Sequence, residues 1–124
     1  MTKQLSKNFS DDEFACKHCG KVITNAKLIK CLQDLRDAIG QPIIVNSGFR
    51  CPEHNRAIGG AKNSYHCFGM AADIRSAGMS PEDLATRARE IEGIRGLGIY
   101  ATWIHVDVRD SPNRIEWGGH DGHD

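Results

Sequence analysis

In WIHVDVR, residues 103–109, apolar and polar side chains alternate without a break from Ile104 to Arg109. That alternation constrains the fold more than any other stretch. On an extended backbone alternate residues share a face. Ile104, Val106 and Val108 therefore point into a core, while His105 and Asp107 stand together on the other side of the same strand. The expectation is a sheet with one packed face and one open face, the open face carrying an imidazole beside a carboxylate.

A second stretch, NSYHCFGMAAD at residues 63–73, offers a histidine and an aspartate around a glycine and small residues. MAADIRS reads as a strand on which Asp73 shares a face with Ala71. His66 lies on the loop leading in, and Gly69 lets that loop turn tightly. If the two strands are neighbours, His66, Asp73 and His105 converge. Two histidines and one carboxylate suit Zn2+, leaving a fourth position for water. Such a site makes water acidic and polarises a carbonyl. Taken singly, each histidine is more often a surface or hydrogen-bonded core residue; the weight lies in the combination.

The remaining elements follow from periodicity and punctuation. Leu28, Ile29, Leu32, Leu35 and Ile39 fall on one helical face, with Thr24 or Asn25 to cap the start and Gly40 to end it. Residues 42–46 form a short buried strand. The following loop carries one helical turn after Pro52. Ser80-Pro81-Glu82-Asp83 starts a second helix, expected to run to about Glu92 and stop at Gly93. GLGIYA and WIHVDVR pair as an antiparallel hairpin. Residues 1–23 read as a polar, irregular arm with a tight CxxC turn, and the polar tail as loose apart from Trp117, residues 118–124 above all. The order α, β, β, α, β, β gives an α+β fold, helices packed on a small antiparallel sheet, in a single domain over residues 1–124.

Sixteen basic against 16 acidic residues leave no net charge, hence no electrostatic footprint for nucleic acid. No apolar run approaches the roughly 18 residues of a membrane span. The N-terminal stretch has no apolar segment of the secretory kind. The expectation is a monomer made in the cytoplasm, without membrane insertion. Five cysteines (16, 19, 31, 51 and 67) favour buried thiols or metal ligands over disulfides in a reducing compartment.

SGFRCPEHNRAIGGAKNSYHCFGMAADI followed by GIYATWIHVDVR resembles the zinc D-alanyl-D-alanine carboxypeptidase and L-alanyl-D-glutamate endopeptidase family, over about residues 5–117. Its S-x-H-x-x-G-x-A-x-D element is present as Ser64, His66, Gly69, Ala71 and Asp73, and W-x-H-x-D as Trp103, His105 and Asp107. The resemblance implies the fold shared with the Hedgehog signalling domain. It implies a catalytic zinc on His66, Asp73 and His105, and peptidoglycan stem peptides as substrate. Arg50 matches the family arginine that faces the scissile carbonyl or a substrate carboxylate, where a fixed cation stabilises developing charge. Many relatives carry an acid three residues before the last zinc histidine. Thr102 stands there instead, which leaves Asp107 as the nearest candidate base or as a partner that orients a ligand. A small domain without a secretory signal suits a phage or prophage lysis enzyme that reaches the cell wall by phage-type release. It equally suits a non-catalytic, zinc-containing cell-wall-binding or phage structural module of the same fold.

Cys16 and Cys19, in CKHCG, form half of a zinc knuckle. Cys51, with Cys31 or Cys67, would complete a structural site; a redox pair or plain buried thiols are the alternatives. His120 and His123 sit among glycines and aspartates in the tail and are not expected to be ligands.

Overall fold

The helical periodicity before Gly40 is realised as α1 (Ala26–Ile39) in the computed structural model of the chain, which describes residues 2–61 and 64–118. Of the two capping candidates, Asn25 accepts from the N–H groups of Lys27 and Leu28, a cap that contributes about 1 kcal/mol. Gly40 closes the helix at φ 69°, the left-handed conformation that glycine adopts most cheaply. Leu28, Ile29, Leu32 and Leu35 are buried, and Ile39 packs at the margin.

Among the described residues five strands form one sheet: β1 (Ile44–Ser47), β2 (Ala71–Arg75), β3 (Gly96–Ile99), β4 (Ile104–Asp107) and β5 (Ile115–Gly118), in the order β1-β2-β4-β3-β5. The expected β3–β4 hairpin is present, and β4 also pairs antiparallel with β2, so the two motif strands are neighbours. The sheet is mixed rather than antiparallel, because β5 runs parallel to β3. β5 comes from a segment that polarity alone marks as loose. Its pairing follows from where β4 ends. Asp107 lies opposite Gly96, the first residue of β3, so a short connection over that end starts a new strand along β3 without a long crossover. Two arginines fasten it: Arg95 Nη2 donates to Pro112 O at 2.6 Å, and Arg114 Nε to Ile94 O at 2.8 Å.

Two shorter helices complete the fold, α2 (Pro52–Ala57) and α3 (Pro81–Ala88). Ser80 caps α3 by accepting from the Asp83 N–H. The helix ends at Ala88, short of the expected Glu92. The N–H groups of Glu90, Ile91 and Ile94 each bond three residues back instead. Those tighter turns drop Ile94 fully into the core.

Ala72, Ile74, Leu97, Ile104 and Val106 face α1 and α3 and join Leu28, Leu32, Leu35, Leu84, Ala85 and Ala88 in one apolar cluster. The arm contributes as well: Phe9 and Phe14 are 1% exposed, and a 3-10 turn over Asp11–Phe14 positions the second ring. The arm is thus part of the core rather than a polar periphery, since two phenylalanines outweigh its charged residues in burial energy. His120 and His123 lie outside the described residues.

Candidate metal centre

Strand register assembles the site. Ser47, Asp73, His105, Gly98 and Trp117 stand on one rung across all five strands, and Ala71, Asp107, Gly96 and Ile115 on a neighbouring rung. Paired residues on one rung share a face, so Asp73 and His105 are fixed side by side by the sheet itself. The expectation of an open face is corrected here. Asp73, His105 and Asp107 are 5%, 2% and 0% exposed, under a 3-10 turn at Tyr65–Phe68, the loop after β1, and Trp117.

His66 enters from that turn. Ser64 caps it by accepting from the His66 N–H, and Gly69 ends it at φ 71°. A side chain at Gly69 would strike the Ile23 carbonyl, so the motif glycine answers to both conformation and space. The His66 and His105 rings meet edge-on at 5.2 Å.

The protons in this cluster can be assigned from its partners. His66 Nδ1 lies 2.8 Å from Gly48 O. A carbonyl only accepts, so Nδ1 carries the hydrogen. His105 Nε2 lies 2.7 Å from Asp107 Oδ2. Burial raises the Asp107 pKa, but hydrogen bonds from Arg109 and then His105 outweigh it and hold the carboxyl well below its usual range. Asp107 is therefore ionised, and Nε2 of His105 is the donor. In neutral rings this leaves lone pairs on His66 Nε2 and His105 Nδ1. Both face Asp73 Oδ1, at 3.2 and 3.3 Å. Three electron-pair donors within 4.8 Å of one another repel unless a cation or extra protons lie between them. A borderline N,N,O donor set fits zinc.

Arg50 is not in an open loop. It is 3% exposed, and its guanidinium donates from Nη2 to Asp73 Oδ2 at 3.0 Å, from Nε to Ser47 Oγ at 3.2 Å and from Nη1 to Asn55 Oδ1 at 3.3 Å. Asp73 thus offers one oxygen to the histidines and the other to a buried cation. Asp107 is equally committed: Arg109 donates to it from its backbone N–H, Nε and Nη2. A gap in β3 makes room for it, since a Cβ on Gly96 would overlap the Asp107 carboxylate. Thr102, at the position usual for the acid, lies in the exposed turn between β3 and β4.

Several contributors escaped the sequence reading. Arg109 extends the H-x-D alternation by one more residue on the same face, a signal that was available. Its guanidinium lies between the rings of Tyr65 and Trp117, 4.6 and 5.3 Å from their centroids. Trp117 lies 5.1 Å from the His105 ring and donates to Tyr100 Oη at 2.8 Å. Asn55 and Ser47 gave no pattern, because only the fold brings them to Arg50.

Cys16, Cys19 and Cys51 form a second group of donors within 4.8 Å of one another. Burial pushes the Cys16 thiol up, yet backbone N–H groups of Cys51, Cys19 and His18 outweigh it and bring it down to about 6. Cys31 is elsewhere, buried on α1 against Gly93, and so does not complete this group. Cys67, on the turn that carries His66, is not among the three either.

The family model described as Peptidase M15 matches residues 4–107. Among curated proteins, the zinc D-Ala-D-Ala carboxypeptidase of Streptomyces albus G is 46% identical over 59 residues, a match covering 47% of this chain. The match spans 23% of that protein's own length. With most of its length matched by the family model and the strands that carry Asp73 and His105 paired at one site, the chain belongs to the peptidase M15 family.

Proposed function

We propose that this chain is a zinc-dependent peptidase acting on peptidoglycan stem peptides. The observation that carries the reading is the meeting of His66 Nε2, His105 Nδ1 and Asp73 Oδ1 with both other ring nitrogens already engaged. These three residues would hold the ion. When bound, zinc supplies the Lewis acidity that activates water and polarises a carbonyl. The chain's own residues supply the rest. Asp107 fixes the tautomer and tilt of His105, with Arg109 holding Asp107 in turn. Arg50 keeps Asp73 aimed with one oxygen inward, and places a permanent positive charge beside the reacting centre, where it favours the charge that develops on a scissile carbonyl. The full Arg109 pairing of Asp107 makes it a poor proton acceptor, which supports the orienting role over the role of base.

The substrate class rests on the Streptomyces relative, whose name specifies D-Ala-D-Ala and zinc. Cleavage of either a D-Ala–D-Ala or an L-Ala–D-Glu bond fits the proposal. A phage-type origin, phage-type release to the cell wall and action as a monomer belong to the same reading. Among the described residues no helix is long and apolar enough to cross a membrane. Incubating purified protein with defined muropeptides, with and without chelator, and weighing the products tests it. Chelator-sensitive loss of alanine or release of the stem peptide is expected. Intact muropeptides in the presence of zinc would instead favour the non-catalytic, wall-binding module.

A further inference from the structure

The thiol group shares no residue with the His66 site and joins segments far apart in the chain. Cys16 and Cys19 sit on a knuckle closed by two backbone bonds, Cys16 N–H to Lys21 O at 2.7 Å and Gly20 N–H to Cys16 O at 2.8 Å. Cys51 caps α2 from the other side. Its N–H donates to Cys16 Sγ at 3.4 Å, and its own Sγ accepts from the His54 N–H at 3.4 Å. Three sulfurs gathered this closely satisfy no disulfide scheme, since one bond would leave the third sulfur over. They are three of the four donors that a structural zinc requires.

The fourth is indicated by position. CPEH places His54 three residues after Cys51, at the start of α2, just as CKHC places Cys19 three after Cys16. A C-x2-C knuckle facing a C-x2-H helix start is a spacing that tetrahedral zinc uses. The His54 ring lies against the knuckle, stacked on His18 at 6.2 Å and 13°. Ligation requires the ring to rotate from this stacked position toward the sulfurs.

We propose that Cys16, Cys19, Cys51 and His54 bind a second, structural zinc ion, the three thiols releasing their protons to solvent as it binds. The ion bolts the N-terminal arm to the wall of the first site. Cys51 directly follows Arg50, which holds Asp73. On the arm side, Phe14 O accepts from the Phe49 N–H at 2.8 Å, and the neighbouring Gly48 carbonyl fixes His66. A metal at the knuckle therefore stiffens both ends of the segment that positions two residues of the first site.

Metal content of protein purified under reducing conditions tests this separately from the peptidase reading. The wild type should carry about two zinc ions per chain. Cobalt substitution should produce the near-ultraviolet thiolate-to-metal absorption of a sulfur-rich site. His66→Ala should remove the other ion and leave that absorption intact. An unchanged zinc count in His66→Ala would refute the first site and not the second. Cys19→Ser, at an exposed position, should lose the absorption and about one ion, and His54→Ala should weaken retention of that ion roughly tenfold or more. Loss in Cys67→Ser instead of His54→Ala would overturn the choice of fourth ligand. If Cys19→Ser fails to fold, thiol titration of native wild type decides: three cysteines should become reactive only after chelator is added. A wild type with one zinc and no thiolate absorption overturns the second site. So does a native mass about 2 Da light from a disulfide among the three.

Discussion

His105 Nε2 lies 2.7 Å from Asp107 Oδ2, and the same carboxylate accepts three further hydrogen bonds from Arg109. The imidazole is thereby held with Nδ1 toward Asp73. Asp107→Asn keeps the shape but loses the charge that satisfies Arg109. Zinc affinity at the His66 site should fall by roughly 10- to 100-fold, measured by competition with a chromogenic chelator. Wild-type affinity combined with a rate loss of about 100- to 10,000-fold would make Asp107 the proton acceptor after all.

Trp117 lies across β3 because Gly98 leaves it room. A Cβ there would meet Trp117 Nε1 at 2.5 Å. Gly98→Ala should displace the indole from His105 and from Tyr100 Oη, at a cost of about 1–3 kcal/mol. In a Trp103→Phe background, tryptophan emission should shift red as the ring is exposed. Gly118→Ala is the control, since its nearest neighbour would be Ile99 O at 3.4 Å. Equal stability and unmoved emission in the two variants would show that Trp117 does not depend on Gly98.

The alternation in WIHVDVR was enough to predict β4 and to put His105 and Asp107 on one face, because a two-residue period is a property of the local chain. That β2 lies beside β4 could only be supposed, since pairing is set by the whole sheet. β5 was missed for a related reason: NRIEWG carries three exposed residues in its strand, Ile115, Glu116 and Gly118, so it shows no buried face to read. The role of Arg50 was legible as a cation near the site. Its burial was not, because Ser47, Asn55 and Asp73 come from three different elements. Phe9 and Phe14 were hidden by their charged neighbours, although burial depends on where those two rings go and not on mean polarity.

Cys31 offers a pH test away from both donor groups. Burial, and then the nearby Asp34, push its thiol up, with Lys27 and Lys30 opposing. The fold therefore holds that proton more tightly than the unfolded chain, whose thiol titrates near about 8.5. The resulting stabilisation is fully present below that value and is lost as pH rises through the folded pKa. In urea melts at about pH 7.5 and about pH 10, the wild type should lose more stability than Cys31→Ala. An identical loss in both would mean that the buried thiol titrates as it does in water.

Arg50 Nη2 and Asp73 Oδ2 form a pair whose side chains are only 4% and 7% exposed. Removing one partner of such a pair leaves a buried charge uncompensated, typically costing about 3–5 kcal/mol. Arg50→Ala should destabilise the zinc-free protein by about that amount. Added zinc should restore part of the loss, because a cation on Asp73 Oδ1 supplies the missing positive charge and binds the native state alone. Arg50→Lys, which replaces the planar fork by a single ammonium, should lie between. Thermal melts of the three proteins with and without zinc measure this coupling. Turnover at saturating zinc reads the other role, and should fall by about 100-fold in Arg50→Ala if the guanidinium also faces the reacting carbonyl. Destabilisation of equal size with and without zinc would show that Arg50 acts through Ser47 and Asn55 alone, and that Asp73 is aimed by the sheet without it.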